Sequence, residues 1–168
     1  SKQNKGLQPL VPADSAALRI YHIVWVTHNS RVSERMVTFG VKRGDPVILD
    51  EVMECIVTRF IKQIVLEDNL KVLAYAICKD HVHMVLVCDE VLRDNIVRKL
   101  KGKSAQLYKE NYNITDRYNL WAQKYYWEIL TTNAQLQNTL NYVIHNRQKH
   151  GLPMYAALQE LVDSITVP

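Results

Sequence analysis

Two histidines separated by one apolar residue, His81-Val82-His83, open an apolar run that continues to Cys88. Strand side chains alternate between faces, so both imidazoles point the same way, in line with Val85 and Val87. Val82, Met84, Leu86 and Cys88 point the other way. Apolar residues on both faces mark a central strand and leave the imidazoles partly buried at its edge. A buried polar group needs a partner. Two neutral imidazoles sharing a divalent ion are one solution, and hydrogen bonds to backbone or carboxylates are the other. An H-x-H pattern alone leaves both open.

A second candidate group lies on a later helix. From Asn133 onward, Leu136, Leu140, Val143 and Ile144 recur with helical period and form one stripe that must face the core. Tyr142 falls about 145° from the centre of that stripe on a helical wheel. Asn146 follows one turn later on the same polar side, with Gln135, Thr139 and Lys149 in the neighbourhood. A tyrosine off the buried stripe has no core role to account for it. Its hydroxyl, one turn from an amide oxygen, is placed to share a site with the histidines.

The elements that must position these groups follow from the same periodicities. Arg19 to Thr27 (RIYHIVWVT) reads as a strand, rich in β-branched and aromatic residues. Residues 28–49 carry Gly40, Gly44 and Pro46, and a short extra strand is predicted around Met36–Phe39. Met53, Ile56, Val57, Phe60, Ile61 and Ile64 predict a helix that Asp50 can cap. Lys71–Cys78 and His81–Cys88 are two strands joined by Lys79-Asp80, a tight antiparallel connection. Leu92 to about Tyr112 is helical, with a break predicted at Lys101-Gly102-Lys103. Lys124–Leu130 is the last strand, and Asn133 to about His150 a helix stopped by Gly151 and Pro153. Met154 to Ile165 has the spacing of a short final helix. The order β-α-β-β-α-β-α is an α+β fold, the ferredoxin-like split β-α-β arrangement. It has one central antiparallel sheet, helices on one face, and the tyrosine-bearing helix in addition. That arrangement hosts RNA binders, metal carriers and nucleases alike, so the fold does not fix the function.

Composition bounds the possibilities. With 168 residues, 48% hydrophobic and 23% charged, the chain is one ordinary domain, and collagen-like, disordered and mucin-like classes are excluded. Apolar stretches such as Ile20–Val26 and Val82–Cys88 are strand-length, too short to cross a bilayer, and no membrane association is expected. Nothing at the start reads as a secretory leader. Cys55, Cys78 and Cys88 form neither a complete disulfide set nor a C-x-x-C pair, which points to a reducing cytoplasm. The net charge of +4 is concentrated: residues 93–109 hold six basic residues and one acid, +5, leaving −1 for the rest. Such a strip is either a solvated helix face or a track for a phosphate backbone. Gly102-Lys103-Ser104 imitates the end of a P-loop, but Val97 stands where the required glycine would be, so a nucleoside triphosphatase is rejected.

Four segments in order now match a known family. They are Tyr21-His-Ile-Val-Trp-Val-Thr-His-Asn-Ser-Arg31, His81-Val82-His83, Trp121-Ala-Gln-Lys-Tyr-Tyr-Trp127, and Tyr142-Val-Ile-His-Asn146-Arg-Gln-Lys-His-Gly151. Together they resemble the single-tyrosine HUH transposases, both the small insertion-sequence enzymes and those associated with repetitive extragenic palindromes, over roughly residues 19–152. The resemblance implies a flexible arm over residues 1–17, a catalytic domain over 18–153 and a C-terminal helix or tail over 154–168. It implies His81, His83 and Asn146 as ligands of a divalent metal, Mg²⁺ or Mn²⁺, and Tyr142 as the nucleophile. Many relatives have Asn-Pro where this chain has Asn146-Arg147, which leaves the ligand set intact and blurs the branch.

The implied reaction is transesterification on single-stranded DNA flanked by hairpins, through a 5′-phosphotyrosine link and a free 3′-hydroxyl. That link keeps the energy of the phosphodiester, so rejoining needs no nucleotide cofactor. Arg98, Lys99, Lys101 and Lys103, with Arg31 and Lys149, are the residues expected to grip the DNA backbone. The resemblance leaves a homodimer or a monomer open, with the homodimer favoured: many insertion-sequence members are dimers that can place the tyrosine helix of one subunit at the histidines of the other, and palindrome-associated relatives can act as monomers. The competing readings are a domesticated hairpin-binding nuclease, a non-catalytic ferredoxin-like nucleic-acid binder, and a metal-dependent hydrolase that uses water.

Overall fold

Tyr21, Ile23 and Trp25 alternate with Ile20, His22 and Val24, so β1 (Leu18–Val26) is apolar on both faces and runs inside the sheet. The computed structural model describes residues 18–32 and 34–167, and the arm expected at 1–17 lies outside them. β2 (Lys71–Cys78), β3 (His81–Asp89) and β4 (Tyr126–Leu130) complete one antiparallel sheet of order β2-β3-β1-β4. Lys79-Asp80 makes the two-residue connection, pairing Cys78 with His81 across the hairpin. This is the ferredoxin-like order, with β3 and β1 central.

One face of the sheet carries the larger core. Tyr21, Ile23, Trp25, Val82, Met84 and Leu86 meet α2 (Glu51–Glu67) and α3 (Arg93–Asn111) there. Asp50 caps α2 as its sequence position predicts, accepting the Met53 N–H at 2.9 Å. α6 (Ala156–Ile165) packs on α2, burying Leu158 and Ile165 in the same core. The other face has a smaller core of Ile20, Ala74, Ala76, Val85 and Leu130 beneath Val143 of α4 (Asn133–Ile144). The small side chains of Ala74 and Ala76 let that helix approach the sheet.

Three local expectations are corrected. Met36–Phe39 forms no strand: Glu34–Thr38 is a short helix, α1, in which the Thr38 hydroxyl donates to the Glu34 carbonyl at 2.9 Å. α3 runs unbroken through Lys101-Gly102-Lys103. A mid-helix glycine costs only about 1 kcal/mol, and the buried Leu100 and Ser104 on either side hold the helical register. The helix from Asn133 is instead divided, ending at Ile144 and resuming as α5 (Asn146–Lys149) after His145. Gly151 then turns the chain with a positive φ of 68°. Among the described residues, no helix is long and apolar enough to cross a membrane.

Candidate active site

The register of β3 sets the site. His83 pairs with Ala76 on one side and Val24 on the other, and His81 pairs with Cys78 and Val26, so both imidazoles project on the face that carries α4. Both are buried, each 6% exposed.

α4 delivers the other groups. Thr132 and Gln135 form a reciprocal capping box at its start. Leu136, Leu140 and Val143 then lie on the sheet. Ile144, expected in that stripe, is 63% exposed. Tyr142 is 40% exposed, yet its ring does not turn away from the sheet. It overhangs the uncovered part, with centroids 5.5 Å from His83 and 6.2 Å from His22.

The bend at His145 carries the next two residues inward, so Asn146 is 0% exposed rather than on the polar face that the wheel implies. Arg147 anchors this turn. Its guanidinium donates to Glu54 at 2.5 Å, to the Ile77 carbonyl at 3.0 Å and to the Pro153 carbonyl at 3.1 Å, tying α5 to α2 and the end of β2.

The polar atoms converge closely. Asn146 Oδ1 lies 3.0 Å from His81 Nε2 and accepts from the Cys78 thiol at 3.0 Å. Asn146 Nδ2 is buried without a hydrogen-bond partner. His81 Nδ1 meets Asp80 at 2.8 Å, and Asp80 in turn pairs with Arg31 at 3.1 Å. His83 Nδ1 meets His22 Nε2 at 2.9 Å, the two ring planes nearly parallel at 17°. His150 stands beside His81, centroids 5.0 Å apart, and Lys149 Nζ lies 4.3 Å from the centroid of Tyr142.

Burial disfavours charge on two of the histidines. Burial, reinforced by His22, His81 and His150, pushes His83 down to about 3, so it is an uncharged imidazole at neutral pH. Burial lowers His22 as well, against the attraction of Glu128. Burial pushes the Cys78 thiol up to about 11, keeping it a protonated donor to Asn146. Burial opposes the charge on Asp80, but its hydrogen bond to His81 and the Arg31 guanidinium outweigh it and hold the carboxyl below its ordinary range.

Two imidazoles and an amide oxygen are a donor set that could hold a divalent ion. Adjacent ligands of an octahedral ion at about 2.1 Å lie about 3.0 Å apart, the separation of His81 Nε2 and Asn146 Oδ1. Nδ1 of each histidine has a partner, so Nε2 is the nitrogen through which each could coordinate. Among the described residues no three His, Cys, Asp or Glu side chains form a metal-ligand group, and here the third donor is an amide.

The expected backbone-gripping residues are dispersed. α3 packs on the opposite face, so its basic strip is not beside the histidines and tyrosine. Lys99 pairs with Asp68 at 2.8 Å, and Lys101 donates to the Gln123 and Lys124 carbonyls at 3.0 Å. Arg98 and Lys101, with Tyr118, Trp121, Lys124 and Tyr125, line a cleft of about 600 Å³ between α3 and the strand β4 approach. Lys103 is half-buried on α3. Of the six, Arg31 and Lys149 lie at the site.

Sequence reasoning did not single out His22, Asp80, Cys78 or His150. His22 stands on the same face as His83 by strand alternation, but the β1–β3 register that brings them together is a tertiary fact.

Comparison with known proteins adds lineage to this geometry. The family model described as "Transposase IS200 like" matches residues 15–146, ending on the buried asparagine. The structure is similar to that of a REP-associated tyrosine transposase bound to a REP hairpin, at TM-score 0.53 and 12% identity over 91% of this chain and 76% of that one. A crystal structure of a candidate transposase from Deinococcus radiodurans R1 aligns at TM-score 0.45 and 21% identity over 88% and 97%. No curated protein matches the sequence.

Proposed function

The chain belongs to the IS200-like transposase family, and from that premise we propose that it cleaves and rejoins single-stranded DNA at hairpin-flanked sites, with Tyr142 as nucleophile. The observation that carries this reading is the packing of Tyr142 on His83 in the same chain that brings Asn146 to His81. Hairpin DNA is the proposed partner because a structural neighbour is described with a REP hairpin bound.

In this reading the phenolic oxygen of Tyr142 forms a bond to the scissile phosphorus as the bond to the 3′ oxygen breaks. The products are a 5′-phosphotyrosine and a 3′-hydroxyl, so the proton lost by the phenol is regained, overall, by the leaving oxygen. His81, His83 and Asn146 would hold Mg²⁺ or Mn²⁺, which when bound polarises the phosphate and stabilises the charge that builds on it. Lys149, held over the tyrosine ring, adds positive charge where the phosphate must sit. Asp80 and the bend anchored by Arg147 keep His81 and Asn146 facing one another. Attack by the 3′-hydroxyl on the same linkage reverses the exchange without an external energy source.

The cleft lined by Arg98 and Lys101 on the other side of the sheet is the proposed surface for the hairpin stem or its flank, where aromatic side chains offer stacking and exposed cations meet phosphates. Lys103 extends that basic strip, and Lys99 contributes once Asp68 is displaced, while Arg31 and Lys149 offer their charge at the site on the opposite face.

The test is direct. Labelled hairpin-bearing single strands incubated with the protein and Mn²⁺ yield a covalent protein–DNA adduct, lost in Tyr142→Phe. A cleaved but unattached product from Tyr142→Phe overturns the tyrosine mechanism and favours water as nucleophile. Cleavage unchanged in His83→Ala removes the metal role.

A further inference from the structure

A histidine that binds a metal through one ring nitrogen needs the other nitrogen held, because the partner fixes both the tautomer and the plane of the ring. The two proposed ligands meet this requirement differently. His81 Nδ1 faces a carboxylate, Asp80, at 2.8 Å. His83 Nδ1 faces no carboxylate: it meets Nε2 of His22 at 2.9 Å, sixty-one residues away in sequence. A hydrogen bond between two neutral imidazoles has only two forms. Either His83 donates from Nδ1, leaving its Nε2 lone pair free, or His22 donates, leaving Nε2 of His83 protonated and unable to ligate.

We propose that His22 is a positioning residue that accepts the Nδ1 proton of His83 and so leaves its Nε2 lone pair free to ligate a metal beneath Tyr142. The placement of His22 supports this in three ways. It lies on the site face of β1 with its ring nearly parallel to that of His83, centroids 5.1 Å apart and planes at 17°, the edge-to-edge geometry of an in-plane hydrogen bond. Its ring also abuts Tyr142 edge-on at 6.2 Å, so one side chain sets both the ligand and the nucleophile that covers it. Across the sheet it pairs with Glu128 on β4, whose negative charge on that side favours a proton on the outer nitrogen of His22 and an acceptor toward His83. The inference rests on the reading of His83 as a ligand, but the hydrogen-bond direction is measurable without any metal.

The experiment uses the full chain. In metal-free protein labelled with ¹⁵N-histidine, the ring shifts of His83, assigned through His83→Gln, report which nitrogen carries the proton. The expected result is Nδ1–H in the wild type, with that preference lost in His22→Phe and retained in His22→Gln, whose carbonyl oxygen still accepts. Calorimetric titration with Mn²⁺ then shows affinity about 10–100-fold weaker in His22→Phe and largely restored in His22→Gln, and adduct formation in His22→Phe recovers as Mn²⁺ is raised. Nε2–H on His83 in the wild type overturns the proposal, as does unchanged Mn²⁺ affinity in a folded His22→Phe. If the wild type takes up no Mn²⁺ while His22 still sets the tautomer, the metal reading falls and the positioning role of His22 stands.

Discussion

His81 Nε2 and Asn146 Oδ1 lie 3.0 Å apart across sixty-five residues of sequence, joining the start of a central strand to the first turn of α5. On the proposed function both atoms ligate one ion, so Asn146→Ala removes a ligand and also takes a partner from the Cys78 thiol and the His81 ring. The expected outcome is loss of Mn²⁺-dependent adduct together with destabilisation of about 1–3 kcal/mol from the unpaired buried groups. Adduct assays and urea denaturation on the same preparation check both parts. Full activity in the variant would remove Asn146 from the site.

Tyr142, the proposed nucleophile, packs on His83 of its own sheet, an arrangement in which one chain supplies a whole proposed site. A mixture of Tyr142→Phe and His83→Ala proteins is therefore expected to stay inactive. Two subunits that exchange tyrosine helices would instead restore activity to as much as one quarter of the paired sites by random association. Gel detection of the adduct in the mixture, against each variant alone, decides between them.

Much of this site is legible from one-dimensional pattern. The alternation through His81-Val82-His83 places two imidazoles on one face, and Asp50 before an apolar period marks where α2 begins, because both features depend only on neighbours in sequence. The misreadings occur where tertiary contacts decide. Gly102 suggests a break in α3, but Leu100 and Ser104 are locked in the core on either side. Charge alone groups the basic strip with the histidines and tyrosine, but the sheet separates them, since the face on which α3 packs is set by Val97 and Leu100 in the core with β1 and β3. The wheel sends Asn146 outward because it assumes a straight helix, whereas the bend at His145 and the anchor at Arg147 bury it. His22 carries no signal of its own until β1 is laid beside β3.

That anchor has a cost when broken. Arg147 and Glu54 are 4% and 3% exposed in their side chains, so neither charge is solvated once its partner is gone. Arg147→Met leaves a buried carboxylate unpaired and is expected to destabilise the fold by about 3–5 kcal/mol. Glu54→Met with Arg147→Met recovers only part of the loss, because the Ile77 and Pro153 carbonyls also lose their donor. Thermal and urea melts of the three proteins measure this. Adduct yield in the double variant reports whether Asn146 still reaches His81.

Burial of His83 makes stability depend on pH in a defined direction. Folded His83 takes up a proton only at about 3, because burial and the neighbouring imidazoles of His22, His81 and His150 oppose its charge. Unfolded, it does so near the ordinary histidine value of about 6.5. Between those values the unfolded chain binds the additional proton, so the unfolding free energy falls as the pH is lowered through that window and is flat above it. The slope from this one group reaches at most about 1.4 kcal/mol per pH unit, and His22, also lowered by burial, acts with the same sign. Denaturation of chelator-treated protein between pH 7.5 and 4 is expected to show this loss, and His83→Gln to flatten it. Added Mn²⁺ steepens the dependence, because an ion held by deprotonated nitrogens competes with the same protons. A profile that stays level in the metal-free wild type would mean that His83 titrates as it does in water and is not enclosed beneath Tyr142.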